Sequence, residues 1–224
     1  MKKLENWRDW LARNQAGSGL RAIEVGLDKI LPWQYREVGG FDRFVRWDAE
    51  KERETFFSCI GVRVENTQGR EVKNGWTQVL LVDHGYPGAI VVFKVKQRGR
   101  WFYLVRAKAE PGSTGLGGIS VTTSIQASGD NSGRVHGGGV PARNELLNRL
   151  VEAGQSPVDS ALVRMDPGRF LNKFVWVRMF EVSVADLGVM TPDERLCTRQ
   201  ELAEMIREGV GNEFLSLAAG VIFV

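Results

Sequence analysis

The stretches Trp101-Phe-Tyr-Leu-Val-Arg-Ala-Lys-Ala-Glu110 and Ile119-Ser-Val-Thr-Thr-Ser-Ile-Gln-Ala127 decide the fold of this chain. Apolar and polar residues alternate in both, which predicts strands over 101–107 and 119–127, because successive side chains of a strand point to opposite faces. The connection, residues 111–118, is short and glycine-rich, so it predicts an antiparallel hairpin. Pairing would place the two polar rows side by side, as one surface of charges, hydroxyls and one amide.

Similar patterns predict further strands and helices on both sides of this hairpin. Strands are predicted over 56–64, 76–83, 89–97 and 173–182, with turn signals at residues 85–88 and 98–100. Helical spacing of apolar residues predicts helices over 3–14 and 142–153. In the first of these helices, Trp7 and Trp10 are expected to have a packing role, either on the body of the protein or on a second subunit.

Two segments have the form of a helix capping box, with a threonine three residues before a glutamate. They are Thr191-Pro-Asp-Glu194 and Thr198-Arg-Gln-Glu201. Both predict helix starts, and the second helix is expected to run to residue 208 and to stop at Gly209. Residues 15–54 are rich in Gly, Arg and Trp, which predicts irregular segments that cross the core.

This order of elements predicts an α+β fold. Strands come first and helices later, which is typical of a mixed, largely antiparallel sheet flanked by helices. The chain has 224 residues, of which 43% are hydrophobic and 25% charged, so it suits one globular domain over 1–224. Residues 1–54 are expected to form an N-terminal helix and an irregular segment that pack on this domain.

Charge and cysteine content argue against several classes of protein. The 30 basic and 27 acidic residues give a net charge of +3 without a run of like charges, which argues only weakly for nucleic acid. A small anionic ligand, such as a nucleotide diphosphate, is equally compatible with this charge. Cys59 and Cys197 lack the spacing of a zinc site, so no metal is expected. The N-terminus has no hydrophobic signal region and no stretch reaches 18 apolar residues, so a cytoplasmic location is expected.

Ionisable and amide side chains concentrate on the hairpin and in the loop that follows it. A solvated sheet face is the plain alternative, because one face of an antiparallel sheet commonly meets water. Serine, threonine and glutamine are unusually frequent here for such a face, and the glycines of the loop suit close approach to a ligand. The candidate ligand-binding residues are Arg106, Lys108, Glu110, Gln126, Ser128, Asn131, Arg134 and His136, with Trp76 and Gln78 on an earlier strand.

Two of these residues suit proton transfer, although each has an ordinary alternative. The imidazole of His136 titrates near neutral pH, but a structural hydrogen bond would explain a loop histidine equally well. Glu110 could act as a base or hold a sugar hydroxyl, and its alternative is an ion pair with Lys108 or Arg106. Trp76 could stack on a base or sugar ring, but most strand tryptophans belong to the core.

The order and spacing of these residues resemble the repeat unit of the NDP-hexose 2,3-dehydratases. That family's pattern runs roughly W-x-Q-P, Q-A-K-x-E-P-G-N, S-P-T-V-Q-A-T-x-S-N, a basic residue and H-x-G. The segments that match it here are Trp76-Thr-Gln78, Arg106-Ala-Lys-Ala-Glu-Pro-Gly112, Ile125-Gln-Ala127, Asn131, Arg134-Val-His136 and Gly138. Thr122-Thr-Ser124 and Ser113 depart from it.

The resemblance implies a fold similar to Nudix hydrolases, without the Nudix box, and dehydration of a nucleotide-linked 4-keto-6-deoxyhexose without a cofactor. It implies that Glu110, His136 and Lys108 are catalytic. It also implies that the substrate is bound by Trp76, Gln78, Arg106, Gln126, Ser128, Asn131 and Arg134. Members of the family carry two such units in tandem, so a chain with one unit is expected to form a homodimer.

Two other functions are compatible with the sequence. A non-catalytic module could hold a nucleotide sugar without reacting it, using the same polar surface. Nucleic-acid binding is the weaker alternative, because the aromatic residues are not interleaved with a basic stripe.

Overall fold

The computed structural model describes residues 5–30, 33–65, 75–84, 87–116, 118–127 and 143–223. The helices in these ranges are α1 (Trp7–Ser18), α2 (Asn144–Glu152), α3 (Val184–Leu187), α4 (Arg199–Arg207) and α5 (Glu213–Ile222). The strands are β1 (Trp33–Val38), β2 (Phe41–Asp48), β3 (Arg53–Val64), β4 (Trp76–Asp83), β5 (Gly88–Gln97), β6 (Arg100–Ala109), β7 (Ile119–Thr123), β8 (Ile125–Ala127), β9 (Asp159–Arg164), β10 (Phe174–Val182) and β11 (Glu194–Cys197). None of the described helices is long and apolar enough to cross a membrane.

The strands form two sheets. The small sheet has four strands in the order β1-β2-β3-β4, all antiparallel. The large sheet has the order β11-β6-β5-β10-β9, with β7 paired to β6 and β8 paired to β5. Its β5–β10 pair is parallel and its other pairs are antiparallel. This confirms the α+β class with antiparallel and mixed sheets, whereas the Nudix-like topology and the single domain stay predictions.

Helices cover both faces of the large sheet, because its central strands carry apolar side chains on both of their faces. On one face, Trp7 and Trp10 of α1 pack with residues of α4 and α5 against Ile90 and Val92. On the other face, α2 and α3 pack against Phe93. The tryptophans of α1 therefore lie in the core, as their spacing predicts, and Trp10 Nε1 donates to the Pro192 carbonyl at 3.1 Å.

The two sheets meet where β4 contacts the loop that precedes β10. Leu81 N donates to the Arg169 carbonyl at 2.7 Å, and Leu171 N donates to the Leu81 carbonyl at 2.9 Å. These two backbone hydrogen bonds fix the end of the small sheet against the large one. Side chains from both sheets converge at this junction.

The stretch 119–127 is two strands rather than the single predicted strand. The break is at Ser124, which is fully buried between β5 and β6. Its hydroxyl donates to the Leu104 carbonyl at 2.7 Å and accepts from Phe93 N at 2.9 Å. The chain thus leaves β6 and continues along β5, a change of partner that apolar alternation does not record.

Two other sequence predictions are wrong. Residues 33–48 are not irregular but form β1 and β2, whose side chains are mostly exposed or half-buried and so lack the apolar alternation of a strand. Thr191 does not begin a helix, because the chain turns and Glu194 enters β11 to pair with Arg106 of β6. Tertiary pairing overrides the local capping signal here, whereas Thr198 does cap α4 with the predicted capping box.

Candidate active site

The hairpin of β6 and β7 sets the frame of the candidate site. Lys108 pairs with Ser120 across the two strands, as Arg106 pairs with Thr122, so the polar rows lie side by side as the sequence predicts. Glu110 directly follows β6, and its N–H donates to the Gly118 carbonyl at 3.0 Å, which closes the turn. Ser120 and Thr122 are buried, which excludes a solvated face for this part of the row.

Four donors surround the carboxylate of Glu110. Its Oε1 accepts from Lys108 Nζ at 3.1 Å and from Gln126 Nε2 at 3.2 Å. Its Oε2 accepts from Ser120 Oγ at 2.6 Å and from Asn212 Nδ2 at 3.2 Å. Burial alone raises the pKa of Glu110, but the hydrogen bonds from Ser120 and Asn212 and the charge of Lys108 outweigh it, so the net pKa is lowered. The group is therefore held ionised and fully hydrogen-bonded.

Asn212 ties this carboxylate to the start of α5. It is the N-cap of that helix, where its Oδ1 accepts from Leu215 N at 3.0 Å. Its Nδ2 donates to Gln126 Oε1 at 2.9 Å as well as to Glu110. Backbone hydrogen bonds at 2.9 Å, one of them from Asn212 N to the Val121 carbonyl, hold this segment against β7.

The hydrogen-bond network also determines the orientation of the Gln126 amide. Gln126 Oε1 accepts from both Thr122 Oγ1 at 2.7 Å and Asn212 Nδ2 at 2.9 Å. The nitrogen must therefore face Glu110, since the oxygen already has two donors. One N–H of Gln126 then donates to Glu110, and the second N–H can donate to another acceptor.

A cavity of about 290 Å³ adjoins this network at the junction of the two sheets. Its volume is at the low end for small-molecule sites, and its lining combines aromatic rings with a few polar groups, as such sites usually do. The lining residues are Phe57, Gly88, Lys108, Gln126, Ala127, Phe170, Lys173, Val175, Glu213 and Phe214.

A buried ion pair lies in the wall of this cavity. Lys173 Nζ is 3.3 Å from Asp83 Oδ2, and both side chains are only 7% exposed. The ammonium also lies over the rings of Phe57 and Phe170, at 4.5 and 4.2 Å from their centroids. Asp83 comes from the small sheet and Lys173 directly precedes β10, so the pair spans the junction.

The structure places Arg106 beside the network but outside the cavity lining. Its Nε and Nη2 donate to Asp193 Oδ2 at 3.1 and 2.8 Å. Burial alone raises the pKa of Asp193, but hydrogen bonds from Thr191 and Arg106 lower it further than burial raises it. Arg106 is therefore held by a carboxylate of its own chain.

The other predicted site residues fall into two groups. Trp76 and Gln78 lie at the start of β4, where Trp76 Nε1 donates to Gln78 Oε1 at 2.8 Å, and neither lines the cavity. The second group lies outside the described residues: Ser128, Asn131, Arg134 and His136. Ala127, the last described residue before them, does line the cavity.

Sequence reasoning missed Asn212, Asp83 and Lys173 as members of the site. An N-cap signal precedes the apolar run of α5 and marks Asn212 as a helix start. No local signal marks its contact with Glu110, which is 102 residues away in the chain. In the sequence, Asp83 and Lys173 are only the end and the start of predicted strands.

A second groove, of about 830 Å³, lies near the opposite end of β6, between α1, β11 and the start of α4. Some of its polar groups pair with one another, whereas Arg195 Nε is buried without a hydrogen-bond partner among the described residues. Arg195 Nη2 donates to Glu201 at 2.9 Å, and Trp7 Nε1 donates to Glu204 at 3.2 Å. We place the candidate active site at the junction cavity rather than in this larger groove, because the predicted site residues Lys108 and Gln126 line the junction cavity.

Thiol and metal chemistry receive no support from the described residues. Burial raises the pKa of both thiols, to about 12 for Cys197, so neither is an activated nucleophile. Across the ranges given above, no three His, Cys, Asp or Glu side chains are grouped as metal ligands would be. The expectation of a reaction without a metal or cofactor stays a prediction.

Comparison with known proteins bears on what such a cavity does. The sequence model described as NDP-hexose 2,3-dehydratase matches residues 4–212 of the 224-residue chain. The match therefore includes the hairpin, the residues that follow it and Asn212. No curated protein matches the chain.

Proposed function

Since the chain belongs to the NDP-hexose 2,3-dehydratase family, we propose that it is a hydro-lyase that removes water from an NDP-4-keto-6-deoxyhexose, such as dTDP-4-keto-6-deoxyglucose. The observation that carries this proposal is the family match over residues 4–212. The junction cavity supports it, because aromatic walls with lysine and amide donors suit a sugar that carries a carbonyl.

The reaction makes three demands on the protein. The C4 carbonyl acidifies the proton on C3, and the hydroxyl on C2 is β to that carbonyl. A base must take the C3 proton, and a donor must stabilise the negative charge that develops on the C4 oxygen. An acid must protonate the departing hydroxyl. The electron pair of the C3–H bond ends in a C2–C3 double bond, and the hydroxyl leaves as water.

We assign Glu110 to positioning and His136 to proton abstraction. A carboxylate with a lowered pKa and four donors is a weak base, which favours a holding role for Glu110. Glu110 keeps Lys108 and Gln126 at the cavity wall, where Lys108 can donate to the C4 oxygen or to the departing hydroxyl. His136 is then the base that removes the C3 proton.

The remaining predicted residues would bind the nucleotide-sugar. Because Arg106 is paired with Asp193, Arg134 is the better candidate to clamp the diphosphate. In this proposal Gln126 offers its second N–H to the sugar, and Asn131 and Ser128 also bind the substrate. Trp76 and Gln78 keep their proposed role toward the base or ribose.

Water loss from a defined substrate tests the proposed function. We expect the protein to convert dTDP-4-keto-6-deoxyglucose to a product lighter by one water, seen by mass spectrometry and absent with heat-denatured protein. A thermal-shift panel of dTDP, UDP, GDP and CDP identifies the nucleotide, because a bound ligand raises the melting temperature. Stabilisation by a nucleotide sugar without water loss would support the alternative of a non-catalytic binding module.

We also propose that two copies of the chain form a homodimer through the small sheet. Tyr35, Phe44, Cys59 and Leu81 are register partners across its four strands and share one face. Tyr35 at one end of this row and Val79, two residues before Leu81 on the same face of β4, are each 68% exposed. A large open apolar face is unusual on a monomer, so a second copy is the proposed cover.

Light scattering at micromolar concentration tests this pairing. We expect a mass near twice 25.0 kDa for the wild type and near 25.0 kDa for the double variant Tyr35→Glu/Val79→Glu. Phe41→Glu is the matched control, because Phe41 is 71% exposed on the other face of the sheet and its replacement should leave the dimer intact. A monomeric wild type would contradict the proposal.

A further inference from the structure

Lys173 occupies an unusual environment for a lysine. It is buried at the junction of the two sheets, and lysine is seldom buried in proteins unless it is paired. Its partner Asp83 is equally buried, so both charges have lost most of their hydration. Such a pair costs free energy to bury, and this cost calls for a reason beyond packing.

Joining the two sheets is not a sufficient reason. The junction already has two backbone hydrogen bonds between Leu81 and the segment 169–171, at 2.7 and 2.9 Å. Buried ion pairs often add no net stability compared with apolar residues of similar size. A purely structural role therefore leaves the choice of a lysine unexplained.

The ammonium group of Lys173 is placed to donate to a ligand in the cavity. An ammonium has three N–H donors, and Asp83 is the one carboxylate among the described residues that lies within 4.0 Å of it. The ammonium also lies over the faces of Phe57 and Phe170. All three of Lys173, Phe57 and Phe170 line the cavity, so the charge lies at the cavity wall between two rings.

We infer that Lys173 is a further catalytic residue, whose ammonium hydrogen-bonds the C4 oxygen and stabilises the negative charge that develops there. This inference rests on the proposed function. When the base removes the C3 proton, the electron pair forms a C3–C4 double bond and the carbonyl pair moves to the C4 oxygen. The pair then returns, C2 and C3 become doubly bonded, and the C2–O bond breaks to release water.

Burial makes Lys173 better suited to this oxygen than Lys108. The side chain of Lys108 is 36% exposed and is held by Glu110, whereas that of Lys173 is 7% exposed. A charge acts more strongly on a developing enolate where water is excluded. Lys108 is then the group that donates a proton to the hydroxyl leaving C2.

Replacing Lys173 with methionine tests this assignment. We expect kcat to fall by about 100- to 1000-fold, as when one donor to a developing oxyanion is removed, with substrate affinity changed by less than about fivefold. Lys173→Arg keeps the charge and should recover part of the turnover. Lys94→Met is the matched control: Lys94 pairs with Glu181 at 2.8 Å and lies over Trp101 at 4.2 Å, but it does not line the cavity. Its turnover should stay within about twofold of the wild type.

Proton exchange separates a chemical role from a structural one. A substrate analogue without the C2 hydroxyl can form the enolate but cannot lose water, so the wild type should wash deuterium from D2O into C3. Lys173→Met should lose this exchange in proportion to its loss of turnover. Exchange at the wild-type rate would overturn the assignment.

The Lys173→Met replacement can unfold the single variant, because removing one member of a buried ion pair is strongly destabilising. The double variant Lys173→Met/Asp83→Asn removes both charges and should stay folded but inactive. Turnover within about threefold of the wild type in either variant would overturn the inference and leave the proposed function intact. A wild type that never releases water would instead overturn the proposed function.

Discussion

Replacing Glu110 with glutamine should lower kcat for the dehydration by at least about 100-fold, while the chain stays folded. The neutral amide has one acceptor oxygen, whereas the carboxylate accepts from Lys108, Gln126, Ser120 and Asn212. Some of these donors would then face an N–H group, so Lys108 and Gln126 would lose the contacts that hold them at the cavity. Steady-state kinetics with the nucleotide sugar measures the effect.

The control for this variant is Glu181→Gln. Glu181 pairs with Lys94 at 2.8 Å and is a lysine-bound carboxylate like Glu110, but it lies outside the cavity lining. We expect its turnover to stay within about twofold of the wild type. Equal losses in both variants would mean that the Glu110 network has no special role in the reaction.

The difference in the free energy of unfolding between the wild type and the Glu110→Gln variant should depend on pH in a defined direction. The folded-state pKa of Glu110 is lowered, so its ionised form stabilises the fold above the unfolded pKa, near the ordinary value of 4.5. This contribution is lost as the pH falls from there through the folded pKa. The free energy of unfolding of wild type and variant, compared at pH 7 and pH 3, should therefore converge in acid, and a constant difference would contradict an electrostatic role.

Replacing Glu194 with alanine should lower the free energy of unfolding by about 3–5 kcal/mol, the usual cost of removing one member of a buried ion pair. The Glu194 side chain is 1% exposed and receives two hydrogen bonds from the Arg143 guanidinium, one of them at 2.7 Å from Nε. It also accepts from Thr191 N at 3.0 Å. The variant would leave the Arg143 charge buried without its carboxylate, and urea denaturation measures the loss.

Two further variants show whether burial is the cause. Glu208→Ala removes an ion pair with Arg8 in which both side chains are largely exposed, and it should change the free energy of unfolding by less than about 0.5 kcal/mol. Arg143→Met/Glu194→Leu removes both buried charges and should recover a good part of the loss. A cost below about 1 kcal/mol for Glu194→Ala would contradict a buried, strongly coupled pair.

Much of the large sheet could be predicted from local pattern. The β6–β7 hairpin and the paired polar rows follow from alternation and a short glycine-rich turn, and the structure confirms them. The cap of α4 was equally readable, because a capping box involves residues only three positions apart. Alternation failed at Ser124, where the strand changes partners, and over 33–48, where the side chains of β1 and β2 face water on much of their surface.

The candidate site was predicted only in part, because some of its contacts join elements that are far apart in the chain. Lys108, Glu110 and Gln126 were recognised from the hairpin and the family spacing, and the structure brings these three together. Arg106 was recognised too, but its partner Asp193 could not be, because that contact depends on how β11 packs beside β6.

The sequence by itself determined the α+β class, the polar hairpin and the family, since each depends on the order of residues over short spans. Tertiary structure alone decided that Asn212 completes the Glu110 network and that Lys173 and Asp83 meet in the cavity wall. These residues come from separate elements, and their contacts exist only because α5 packs on β7 and the two sheets join at Leu81. Packing of distant apolar faces fixes such contacts, and no local spacing records which faces will meet.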